Sequence, residues 1–328
     1  MDKTFLPGHP SRKLKMLNDS KSALTASPAR LKLSSQTKGV LLLAVAILMW
    51  GANWPVMKSG LNHITPIWFS TLRFALGAAC LFVIQAATGK LIIPKRHDVP
   101  LIASVGLLQM MTFTVLGAVA MTHVDAGRSA VLAYTTPLWV LPIAVLLLHE
   151  RLSRREFMGT FMGVMGVLIL FNPLSLDWSN RPLVQANFML LAASLCWALS
   201  MLHLRYSRNS SSAYQLAPWQ MALACIPLSI LSWWVEGPYT GDGSRTLWEI
   251  LLFMGPLATA FCFCAVNAAS SWLSSTSMST AMLGVPVVGL MMSVLFTDEV
   301  LTLPLLLGVL AILVGILVTI TRHLGSAN

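Results

Sequence analysis

One arginine, Arg73, lies inside a long apolar stretch, seven positions after Pro66 and so roughly 10 Å along a helix. A guanidinium at mid-membrane depth costs about 2.5–3.5 kcal/mol on insertion scales, so something must offset it. A cation turned into a cavity would bind a carboxylate or another anionic group. Two other uses compete: snorkelling toward the outer headgroups, or capping the carbonyls of a neighbouring helix. Uncharged polar residues fall in other apolar stretches: Asn53, Gln109, Thr112, Tyr134, Thr135, Thr136, Ser194, Ser200, Gln220 and Asn267. Lipid offers them no hydrogen bonds, so they should face the interior of a helix bundle. Interhelical hydrogen bonding accounts for such groups one at a time. Taken together they supply the wall of a central polar cavity. Trp197, with Trp50 and Trp54, could complete that wall, although Trp54 could equally sit in an interfacial belt. The candidate substrate-contacting set is therefore Asn53, Arg73, Gln109, Tyr134, Trp197, Gln220 and Asn267.

Other chemistries find no residues to carry them. The sequence has no HExxH, no GxSxG, no intramembrane Asp pair and no Walker A motif, so neither an enzyme nor an ATP-driven pump is expected. Cys80, Cys196, Cys225, Cys262 and Cys264 form no CxxC pair, which argues against a disulfide, a metal site or any bound cofactor. None of the 12 Asp and Glu falls mid-span. The nearest candidates for a proton relay are Glu249, at the start of the eighth apolar stretch, and His203, near the end of the sixth. This scarcity favours exchange or facilitated movement over proton coupling, and it argues against polycationic substrates.

The elements that must position these residues follow from composition. Of 328 residues, 56% are apolar and 10% charged, with a mean hydropathy of +0.72. A soluble domain carries about 25% charged residues, so a water-soluble protein is excluded. Ten runs are long enough to cross a bilayer. They are 39–59, 66–88, 99–121, 128–148, 156–172, 186–206, 213–234, 247–270, 275–296 and 303–321. The runs are continuous rather than alternating, which predicts an all-α membrane protein with ten transmembrane helices. Seventeen of the 22 Lys and Arg fall on the side of the N-terminus, four on the other, and Arg73 within a span. By the positive-inside rule both termini are then cytoplasmic. The net charge of +10 is an orientation signal, without the clustering that a nucleic-acid partner requires. Residues 1–37 have no apolar core of a secretory leader and read as a disordered basic cytoplasmic tail.

The two halves repeat. At an offset of 149, Pro137 falls on Pro286, Glu150 on Glu299, Gly159 on Gly308 and Gly166 on Gly315. At 147, Trp50 falls on Trp197, Lys58 on Arg205 and Arg73 on Gln220. Five helices per half is an odd number, so 38–172 and 185–321 would be inverted repeats around a midplane site, as in alternating-access transporters. The motifs 50-WGANWPVMKSG-60, 72-LRF-74 and 136-TPLWVLPIAVLLLHERLS-153, with Gly159, Gly163 and Gly166, resemble the EamA-like family of the drug/metabolite transporter superfamily. That resemblance implies an exporter of amino acids, other metabolites or toxic compounds in a bacterial inner membrane. Its partners would be a small-molecule substrate and the lipid bilayer. The small residues along helices 5 and 10 would support close packing within a protomer or at a homodimer contact. An amino acid or related carboxylate is the favoured cargo, with efflux of amphipathic drugs as the alternative. An intramembrane enzyme or a non-transporting sensor stands further back. Glu150 and Glu299 are expected to order loops.

Overall fold

A computed structural model describes residues 34–148, 154–171, 178–207, 211–273, 278, 281–297 and 299–320. All regular structure among them is helical. In chain order the rods are α1 (Ser35–Gly60), α2 (Pro66–Ala87), α3 (Arg96–Ala120) and α4, made of Ala126–Ala133 and Thr136–Leu148. Then come α5 (Arg154–Phe171), α6 (Arg181–Tyr206), α7 (Ala213–Glu236), α8 (Arg245–Ser270), α9 (Gly284–Phe296) and α10 (Leu303–Ile320). Six of them, α1, α2, α3, α6, α7 and α8, are long and apolar enough to cross a membrane; Phe157–Ile169, Gly284–Phe296 and Leu303–Gly315 are shorter apolar helices. Side chains such as Val83, Ile230, Trp234 and Leu295 are each more than 60% exposed. Such faces suit lipid rather than water. The protein is an all-α, multi-pass membrane protein.

Local chemistry sets the ends. Ser34 accepts the Thr37 N–H, so α1 begins inside the stretch expected to be a disordered tail, at Ser35 rather than after residue 37. Residues 1–33 lie outside the described residues, as do Glu150 and Ser153. Asn180 accepts the Leu183 N–H and Pro182 follows it, which starts α6 five residues before the apolar run. Ser212 and Gln215 form a reciprocal capping box on α7. The N-terminus of α2 is capped from afar: Glu236, at the end of α7, accepts the N–H groups of Ile67 and Trp68, both at 2.9 Å.

Four rods are not plain α-helices. α4 was expected to be continuous and is broken by a turn at Tyr134–Thr135. Pro137, which has no N–H to give, lies just beyond. α9 likewise begins after a turn at Leu283, just before Pro286. α3 and α8 carry π-helical turns at Val105–Thr112 and Phe253–Phe261. In each, a threonine hydroxyl donates five residues back: Thr112 to the Leu107 carbonyl and Thr259 to the Met254 carbonyl.

Packing runs mainly between the two halves of the chain. α5 lies along α10, α2 along α7, α1 along α8 and α9, and α6 along α3 and α4. A Cβ at Gly166 would stand 2.8 Å from the Gly308 carbonyl oxygen, and one at Gly315 only 2.5 Å from that of Gly159. The small-residue stripe of α5 is therefore consumed against α10 of the same chain rather than offered to a second copy.

Candidate functional site

A cavity of about 600 Å³ lies between the halves. All seven residues singled out in the sequence line it: Asn53 of α1, Arg73 of α2, Gln109 of α3, Tyr134 at the break in α4, Trp197 of α6, Gln220 of α7 and Asn267 of α8. The two broken helices meet it at their turns, through Tyr134 and Leu283, and both π-helical turns contribute to its wall.

Arg73 lines the cavity, within the bundle. Its Nε donates to Thr259 Oγ1 at 2.7 Å, which itself donates to the Met254 carbonyl at 2.7 Å. The π-helical turn of α8 thus holds the guanidinium in position. The two terminal nitrogens have no hydrogen-bond partner among the described residues, and no carboxylate is in the cavity wall. Thr259 was not foreseen. Its only signal in the sequence is a lone hydroxyl within the apolar run 253–261.

The aromatic residues form a connected wall. Phe113 meets Trp197 edge to face at 4.5 Å between centroids, and Trp197 and Trp54 each lie 6.4 Å from Tyr134. Trp54 is 3% exposed, so it belongs to this wall and not to an interfacial belt. Trp50 is held by its indole N–H on the Ala258 carbonyl at 2.8 Å. Six methionines, Met57, Met110, Met201, Met221, Met278 and Met282, fill much of the remaining surface.

The amides are used differently. Gln109 Oε1 accepts from Ser200 at 3.1 Å, and Asn267 Nδ2 donates to the Phe263 carbonyl at 2.8 Å. Asn53 Oδ1 and Gln220 Oε1 are buried without a partner. Thr135 and Ser194 bond to each other at 2.8 Å and Trp139 donates to Ser194 at 2.7 Å. These groups tie α4 to α6. His203 bonds Ser104 at 2.6 Å, while Glu249 pairs with Arg245 on an exposed face. Neither relay candidate lines the cavity.

The cavity reaches the end of the bundle where α3 starts, α6 stops and α7 starts, at Leu101, Leu204 and Ala213. The opposite end is tied shut. Lys58 Nζ donates to the carbonyls of Met121 and Val124 at the end of α3. Glu299, in the α9–α10 loop, accepts the N–H groups of Gly127 at 2.7 Å and Arg128 at 3.2 Å. It orders the start of α4 rather than its own loop alone. Burial pushes its carboxyl above the usual range, although both N–H bonds pull the other way. His63 and Asp242 join the α1–α2 and α7–α8 loops at 2.6 Å. The hydrogen bond from His63, with one from the Ser244 backbone, holds the Asp242 carboxyl down at about 2.

The family model described as the EamA-like transporter family matches residues 37–172 and 184–321. The chain belongs to that family; it is a secondary transporter and not an enzyme. It is 29% identical to an uncharacterized transporter of Bacillus subtilis, YoaV, over 82% of this chain and 92% of the relative. A "Probable amino-acid metabolite efflux pump" of Salmonella typhimurium is 26% identical over 87% of this chain and 95% of its own length. A "Probable terminal-alkyne amino-acid exporter" of Streptantibioticus cattleyicolor is 24% identical over 88% and 95%. One solved crystal structure superposes with a TM-score of 0.60 at 20% identity, covering 88% of this chain and 99% of that chain. At that identity the likeness concerns the fold alone.

Proposed function

We propose that the chain exports a small carboxylate metabolite, such as an amino acid or a related compound, by alternating access across a bacterial inner membrane. Ten helices form two inverted repeats, 38–172 and 185–321, with both termini cytoplasmic. The observation that carries the reading is the convergence of Arg73 and six other polar or aromatic residues, drawn from both halves, on one cavity. Several paired features support the repeat. The π-helical turns, their threonines, the breaks before Pro137 and Pro286, and the reciprocal glycine contacts of α5 and α10 all fall at offsets of 147–149. Broken helices around a midplane site are how transporters expose backbone to a substrate. Given this orientation, the cavity opens to the cytoplasm and the Lys58 and Glu299 contacts close the outer side. Asn53, Arg73, Gln109, Tyr134, Trp197, Gln220 and Asn267 contact the substrate, and Arg73 binds its carboxylate. The names of the Salmonella and Streptantibioticus relatives agree with this cargo.

The six methionines favour one second reading, efflux of amphipathic compounds, because flexible thioethers adapt to varied apolar shapes. Counterflow in liposomes, with labelled amino acids, nucleosides and dyes and with or without a pH gradient, separates the two. Amino acid counterflow is expected. Movement of dyes alone would replace this reading with the second, and no counterflow of any class would remove both.

A further inference from the structure

We infer that the cavity reads its substrate through a carboxylate on a bulky apolar body, and that a free ammonium group is no part of what it recognises. The inference rests on the exporter reading above and narrows it. A buried ammonium needs acceptors or a counter-charge. The cavity wall holds no carboxylate. Its Gln109 carbonyl is already bonded by Ser200, and the carbonyl oxygens of Asn53 and Gln220 are sealed off in the protein. The cavity wall holds obligate donors at Arg73 and Trp197, beside hydroxyls of Thr114, Tyr134 and Thr136 that can donate as well as accept. The two terminal nitrogens of Arg73 and the Trp197 indole N–H have no hydrogen-bond partner among the described residues, and burying the carbonyls of Asn53 and Gln220 leaves their NH₂ groups as the polar ends of those side chains. Arg73 and Trp197 are donors however the amides are turned. Asn267 Oδ1 is the clear acceptor, since its NH₂ is committed to Phe263. Aromatic faces attract cations, but the Arg73 guanidinium lines the same cavity as the aromatic wall and opposes a second positive charge. The remaining surface is methionine and aromatic, and about 600 Å³ falls in the range of pockets for sizeable organic ligands.

The test uses one branched side chain in four compounds and three charge states: leucine, N-acetylleucine, 4-methyl-2-oxopentanoate and leucine methyl ester. Binding to the purified full-length protein is read from its tryptophan fluorescence, and counterflow is measured in liposomes. The two ammonium-free acids are expected to bind at least as tightly as leucine, and the ester about tenfold more weakly or worse. In Arg73→Gln the ester should come within about twofold of the acids, and Arg73→Lys should keep part of the preference. Comparing ligands within one variant keeps the readout independent of how much protein folds. Leucine binding without the two other acids, an ester equal to the acids in the unaltered protein, or no binding by any of the four would each overturn the inference. Acids that bind but show no counterflow would remove the export reading and leave the carboxylate preference standing. Counterflow of leucine without the two other acids would do the reverse, and counterflow of the ester alone would remove both.

Discussion

Thr259 is the residue through which Arg73 is aimed, and its replacement separates aiming from charge. Thr259→Val keeps the volume and removes the acceptor of the Arg73 Nε–H. A net hydrogen bond of about 0.5–1.5 kcal/mol predicts a loss of apparent substrate affinity of roughly two- to tenfold, with Thr259→Ser restoring most of it. Unchanged uptake kinetics in the valine variant would detach Thr259 from the site. At the opposite end, Asp242 carries a pH dependence with a defined sign. Its carboxyl is held at about 2 in the folded chain against an ordinary 3.8, so the folded state gains from its ionised form. That gain is present above about pH 4 and is lost as pH falls toward 2. Thermal melts should show the unaltered protein weakening over this window and Asp242→Asn showing less change. Six of the seven cavity residues were legible in the sequence for one physical reason: a polar group in an apolar span has no partner in lipid and must turn inward, and Trp197 was added as an aromatic wall. Thr259 stayed hidden because a threonine can satisfy itself on its own helix, and only the fold reveals the arginine beside it.

At the scale of elements, the glycine contacts and the distant caps make the sharpest claims. Gly315→Ala would force a methyl group to 2.5 Å from the Gly159 carbonyl oxygen. Overpacking of this kind costs about 1–3 kcal/mol. Gly117→Ala, where nothing lies within 4 Å, should melt like the unaltered protein. Equal melting of the two variants would mean that α5 and α10 are not as close as described. Glu299→Ala removes both acceptors at the start of α4, and loss of a cap costs about 0.5–2 kcal/mol. A melting temperature unmoved by that change would deny the cap any part in stability. The helices were read from apolar length to within a few residues at most ends, because a helix that lies in lipid must stay apolar along its whole length. The π-helical turns and the break at Tyr134–Thr135 were not read. Hydropathy measures length, and these features change backbone geometry without changing composition. Glu299 was read as a loop residue because its partner, α4, is remote in the chain.

For the whole molecule, the proposed topology gives three positions one shared outcome. Reporters fused after residues 90, 152 and 325 should all register cytoplasm, and a single reversal would break the inversion of the two halves. The halves themselves do not stand apart, since α5 is sheathed by α10, α2 by α7 and α1 by α9. That interleaving has a consequence for biosynthesis. Translation delivers α5 to the bilayer long before α10 emerges from the ribosome. Until then its glycines face lipid, without the partner that fits them. A nascent chain that stops short of α10 would leave this seam open to membrane quality-control proteases, so α10 acts as the clasp on an assembly that α5 entered half-finished.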